Sequence, residues 1–116
     1  MKKLSDFKDE RGIEIAAKVF SIIMDILANK KNAEKSNEKT PSAMFSSFMQ
    51  NSPKEMRKIF AILSEENEEK YTCDGAEAMQ NMLLLANDPI LVGLFISQGR
   101  KGDATSSGSA SENTEG

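Results

Sequence analysis

The chain has 116 residues, no histidine, one cysteine and a net charge of −3, from 15 basic and 18 acidic side chains that are interspersed. That balance excludes bulk electrostatic attraction to nucleic acid. The lack of histidine excludes Ser-His-Asp and Cys-His catalysis, and with one cysteine it leaves no ligand set for a structural zinc ion.

The length suits one domain. Helical spacing dominates and strand alternation is nearly absent, which predicts an all-α fold of four to five helices. Leu4 to Lys8 reads as a short turn with Phe7 as an apolar anchor. A long first helix follows from about Asp9 to Asn29, with Asp9 and Glu10 at its positive N-terminal end and Gly12 in its first turn. This helix is apolar almost all the way round. Ile13, Ile15, Val19, Phe20, Ile22, Ile23, Met24, Ile26 and Leu27 leave only Glu14, Lys18, Ser21 and Asp25 as a polar stripe. An ordinary surface helix has one apolar face, so this one requires burial on two sides. It is either central to its own bundle or meets a second subunit.

Asn29 to Thr40 is rich in Lys, Asn and Glu, lacks apolar periodicity and reads as a mobile linker. Thr40-Pro41 is a helix start, with Thr as N-cap and Pro at the first helical position. The second helix spans about Pro41 to Gln50 with Met44, Phe45, Phe48 and Met49 on one face. Ser52-Pro53-Lys54-Glu55 reads as a capping box and opens a third helix to about Ser64 with Met56, Ile59, Phe60 and Leu63 at helical spacing. After the acidic connector Glu65 to Lys70, Tyr71 and Cys73 tuck against the core. Asp74 caps a fourth helix, Gly75 to Ala86, with Ala76, Met79, Met82, Leu83 and Ala86 on one face. Asn87-Asp88-Pro89 starts a fifth, to about Ser97, and Gly99 stops it. The helical domain therefore covers 1–98. Gly99 to Gly116 is rich in Gly, Ser and Glu with no large apolar side chain, and is expected to be a disordered tail.

Little in the chain carries chemistry. Cys73 has no base beside it and reads as a structural thiol. Glu65, Glu66, Glu68 and Glu69 form a solvated charge run. The basic run Lys30, Lys31, Lys35 and Lys39 is interrupted by Glu34 and Glu38, and a DNA-reading face is offered only by Lys54, Arg57 and Lys58 of the third helix or Gln80 and Asn81 of the fourth, which leaves a DNA-binding regulator as the weakest of three readings. The charged segment after Leu4 excludes a secretory h-region, and the apolar run around Ile22 is broken by Lys18 and Asp25. A cytosolic protein with no catalytic, metal or cofactor residue is expected. The Met/Phe set fits core packing or an adaptable groove for a partner helix. For a partner surface the candidates are Phe45, Phe48 and Met49. For self-association they are Ile15, Val19, Ile22 and Ile26.

The segment Leu4-Ser5-Asp6-Phe7-Lys8-Asp9-Glu10-Arg11-Gly12-Ile13-Glu14-Ile15 resembles the start of tail assembly chaperones from long-tailed phages of Gram-positive bacteria. The order of parts is similar too. A long apolar helix and a polar linker precede a short helix, here Lys54 to Leu63. Glu68 to Cys73 then leads into a helix, and the body ends at Phe95-Ile96-Ser97-Gln98-Gly99. The resemblance covers Leu4 to Gly99. It implies a helical, oligomeric, non-catalytic protein that binds the tape measure protein and keeps it soluble in the host cytoplasm, and that is absent from the mature virion. It also implies a possible frameshifted longer form that recruits tail tube protein. The competing reading is a small helical adaptor or regulatory protein that binds one folded partner. Neither involves nucleic acid or a membrane.

Overall fold

Apolar residues at helical spacing, divided by cap and proline signals, fold into helices that pack on the first long one. The computed structural model describes residues 1–35 and 40–103, and the regular structure in them is entirely helical. A 3-10 turn at Leu4–Asp6 precedes α1 (Asp9–Ala28), α2 (Lys30–Lys35), α3 (Pro41–Asn51), α4 (Pro53–Leu63), α5 (Gly75–Ala86) and α6 (Pro89–Asp103). α1 lies chiefly against α4, with α2, α6 and the N-terminal turn around it, and α3 lies against α5.

Three start signals act as read. The Thr40 Oγ1 accepts from the Ala43 N–H at 3.3 Å. The Asp74 carboxylate accepts from Glu77 N–H at 2.8 Å while Glu77 Oε1 accepts from Asp74 N–H at 3.1 Å, a reciprocal capping box. Asp88 Oδ1 accepts from Ile90 and Leu91 N–H at 3.1 and 3.4 Å. Its other oxygen accepts from Leu4 N–H at 3.2 Å, so one buried carboxylate both caps α6 and ties down the N-terminal arm. The same arm is held where Lys2 N–H donates to the Leu63 carbonyl at 2.8 Å. Phe7 is the buried anchor expected of it. α1 crosses so close that a Cβ on Gly12 would stand 2.7 Å from the Phe7 carbonyl oxygen, which explains a glycine inside the first turn.

Four expectations are corrected. The segment Asn29 to Thr40 is not wholly a linker. It contains α2, whose Asn32 is fully buried and donates at 2.8 Å to both the Ile26 carbonyl and Ser52 Oγ. Ser52 therefore does not close a capping box at α4, because its hydroxyl accepts from Asn32 and caps no backbone N–H. Gly99 does not stop α6, which continues to Asp103 with Gly99 buried inside it. On α5 the buried residues are Met82 and Leu85, whereas Met79 and Leu83 face out. The expected disordered tail lies outside the described residues from 104 onward.

The core joins Ile15, Val19, Ile22, Ile23 and Ile26 of α1 to Met44, Phe45 and Phe48 of α3. Met56, Ile59, Phe60 and Leu63 of α4 and Leu91 and Phe95 of α6 complete it. Phe45 meets Phe48 and Phe95 edge-on, at centroid distances of 5.9 and 5.2 Å. Phe48 and Phe95 lie at 4.9 Å. These separations suit the ring quadrupoles. The connector after α4 begins with Glu65 at φ 58°, the left-handed residue of a Schellman-type end in which Glu66 N–H donates to the Ala61 carbonyl at 2.9 Å. Arg57 Nη1 then holds the loop by donating to the Glu68 and Tyr71 carbonyls, each at 2.9 Å. Burial pushes the Tyr71 phenol above its ordinary pKa, partly offset by the Asn81 amide, which donates to its oxygen at 3.0 Å.

Truncation of Phe95 to alanine leaves a void among three rings. It is expected to cost about 3–5 kcal/mol, a large share of the ~5–15 kcal/mol of a small domain, read as a lower urea midpoint. Lys2 Nζ bonds Glu65 Oε2 at 2.8 Å, and that hydrogen bond and charge lower the Glu65 pKa from its ordinary 4.5. A carboxylate with a lowered folded pKa contributes stability above its unfolded pKa and loses it as pH falls through the folded value. Lys2→Ala should therefore lower Tm slightly at pH 7, and that effect should shrink as pH falls through the range in which the folded-state Glu65 takes up its proton.

Candidate interaction surface

Among the described residues no group of three or more His, Cys, Asp or Glu side chains is placed to hold a metal ion. What the fold does present is apolar surface. α1 buries Ile15, Val19, Ile22, Ile23 and Ile26 and turns a different stripe outward. Ile13 is 72% exposed, Phe20 and Met24 42% each. Ala17 is exposed between them, and Leu27, partly buried, extends the line. Glu14, Lys18, Ser21 and Asp25 border this stripe on one side, all exposed. Glu14 has an ion pair with Arg11 at 3.6 Å that is too exposed to contribute much.

A second apolar surface lies on α5. Met79, Leu83 and Leu84 are each about half exposed, as is Ile90 at the start of α6. Gln80 is the polar side chain that interrupts this face, and Ala76 adds to it. Four large exposed apolar residues on two adjoining helices exceed the scattered singles of an ordinary surface. Between α3, α4 and α5 opens a pocket of about 190 Å³ lined by Met49, Pro53, Met56, Arg57, Phe60, Cys73 and Ala78. It is smaller than the ~300–1,000 Å³ of a typical small-molecule site, and its size fits an inserted side chain. No single described helix is long and apolar enough to cross a membrane. α5 with Pro89–Gly99 reaches that length and composition only as a pair bent by 81°.

The two residue sets expected to form surfaces are placed differently by the fold. Phe45 and Phe48 have no exposure and form the aromatic cluster with Phe95, so they offer nothing to a partner in this conformation. Met49 alone of that set reaches accessible space, in the pocket. Ile15, Val19, Ile22 and Ile26 are core residues of a single chain, and the outward stripe of α1 is Ile13, Ala17, Phe20 and Met24 instead. The physical reason is that α1 is apolar over most of its circumference, so periodicity identifies two candidate faces without ranking them. Composition held a clue. The buried face is entirely β-branched, whereas the outward one follows Ile13 with Ala17, Phe20 and Met24, of which methionine is the adaptable one.

Comparison with protein-family models, with curated proteins and with solved structures gives no match to this chain.

If the α5 surface is an open apolar face, charging it should not disturb the fold. The double substitution Met79→Lys and Leu83→Lys is expected to lower the fluorescence of a bound hydrophobic dye at least twofold. It should change the unfolding free energy by no more than about 0.5 kcal/mol, the usual range for surface changes.

Proposed function

We propose that this chain is a non-catalytic tail assembly chaperone that binds the tape measure protein of a long-tailed phage and keeps it soluble during tail assembly. The observation that supports it most is the exposed apolar face of α5 and Ile90, carried on a scaffold whose core is already complete without it. Such a face gains several kcal/mol by covering: each large apolar side chain contributes roughly 1.5–3 kcal/mol on full burial. An amphipathic partner helix laid along it needs anchors at helical spacing and no fixed polar contacts. Met79 and Leu83 can repack against varied apolar shapes, which suits one protein binding many segments of a long helical client. The family resemblance over Leu4 to Gly99 supplies the identity of that client, which no surface could supply alone.

In this reading the chain self-associates, works in the host cytoplasm and is absent from the mature virion. It uses no cofactor, nucleic acid or membrane. A frameshifted longer form would bring in tail tube protein. The alternative is a small adaptor that binds one folded partner, and the observation favouring it is the pocket around Met49 and Cys73, sized for one inserted side chain.

Co-expression with the tape measure protein of the same source separates the two. The chaperone reading expects the client to stay in the soluble fraction within a large complex holding many copies of this chain, and expects Met79→Lys with Leu83→Lys to return it to the pellet. A client that remains insoluble beside a folded, abundant wild-type chain would leave the adaptor reading.

A further inference from the structure

We infer that α2 is a strap that opens on its own while the rest of the domain stays folded, and that Asn32 is the catch holding it shut. The device is independent of which partner the chain takes.

α2 is six residues long, Lys-Lys-Asn-Ala-Glu-Lys. A helix that short does not hold together in water and depends on tertiary packing. It lies against α1, α3 and α6, yet it brings no large apolar side chain to them. Lys30, Lys31 and Glu34 are exposed and Ala33 is half-buried, so Asn32 alone of its described side chains is buried. Every other α-helix is fixed by large side chains in the core, whose contribution grows with the area they hide. α2 has almost none of that contribution, and its attachment rests on polar contacts.

Those contacts converge on one amide. Asn32 Nδ2 donates at 2.8 Å to the Ile26 carbonyl, in the last turn of α1, and at 2.8 Å to Ser52 Oγ, at the junction of α3 and α4. The start of the strap is capped by Asn29 Oδ1, which accepts from Lys31 N–H at 2.9 Å. Asn32 Oδ1 is itself buried and has no hydrogen-bond partner among the described residues. Closure therefore satisfies two donor positions and strands one acceptor.

Opening reverses that balance. When α2 swings out, water supplies partners to Asn32, to the Ile26 carbonyl and to Ser52, and the stranded acceptor is satisfied with them. Two buried hydrogen bonds and little apolar burial are lost. Detaching any other α-helix would expose core side chains such as Phe45, Ile59, Leu85 or Phe95. This difference puts α2 at the low-stability end of the molecule as a separate opening unit. Its departure uncovers the surface of α1, α3 and α6 beneath it.

Native-state hydrogen exchange of the full chain tests this. Asn32 and Ala33 N–H donate to the Asn29 carbonyl at 3.0 and 3.1 Å and report on α2. Ile59 and Phe60, buried in α4, report on global unfolding. The α2 amides are expected to be protected, but about 100-fold less than those of α4 or weaker still. Their exchange should change little through sub-denaturing urea, because opening the strap exposes little surface. Asn32→Ala should abolish the protection of α2. It should lower that of Ile59 and Phe60 by no more than the protection factor α2 had in the wild type, since closing the strap adds only that much to global stability. Four results would each overturn the inference: wild-type α2 amides that exchange at the α4 rate, wild-type α2 amides with no protection, α2 protection retained in Asn32→Ala, or a loss at Ile59 and Phe60 beyond that bound. No client protein is involved, so the outcome is separate from that of the solubility experiment.

Discussion

Five β-branched side chains on one face of α1 (Ile15, Val19, Ile22, Ile23 and Ile26) organise the packing of this chain. Branched residues hold one χ1 rotamer in a helix, so they form a stiff ridge against which α4 and the Phe45–Phe48–Phe95 cluster close. Because that ridge occupies one face only, the rest of α1 is committed to facing outward. The exposed stripe at Ile13, Phe20 and Met24 is thus a consequence of how the core is made.

Polar groups fix the order in which the remaining pieces meet. Asn32 joins the end of α1 to the α3–α4 junction, donating to Ile26 and Ser52. Asp88 joins the start of α6 to the N-terminal arm. Arg57 pins the connector between α4 and α5. Each is a buried or half-buried group whose donors or acceptors are paired across the fold, and leaving one of these unpaired costs about 1–3 kcal/mol; among the described residues only the buried Asn32 Oδ1 is without a partner. Few such groups are needed in a chain this small, and each removes one way of mispacking helices that are otherwise interchangeably apolar.

Two apolar surfaces are left over once the core has closed. The α1 stripe is narrow and regular, with Glu14, Lys18, Ser21 and Asp25 along one side of it. The α5 face with Ile90 is broader, carrying Met79, Leu83 and Leu84 with Gln80 between them and the exposed Glu77 in line with Leu84.

The starts of α3, α5 and α6 were legible in the chain itself because their signals are local, whereas α2 and the end of α6 were not. Thr40-Pro41, Asp74 with Glu77, and Asp88-Pro89 each satisfy or dispense with backbone donors within one turn, whatever surrounds them. The 3.6-residue spacing of Met56, Ile59, Phe60 and Leu63 likewise names the buried face of α4, because the opposite face is charged. The tertiary structure decided what local signals leave open. Asn32 became a buried anchor, and Ser52 lost its capping role to it, through a contact spanning twenty residues of chain. Phe45 and Phe48 became core because Phe95, distant in sequence, fills the space beside them. α1 and α5 are apolar on more than one side, so their sequences fix that a surface is left over but not which one. That choice belongs to the helices packed against them, since burial is a property of neighbours and the neighbours come from the whole chain.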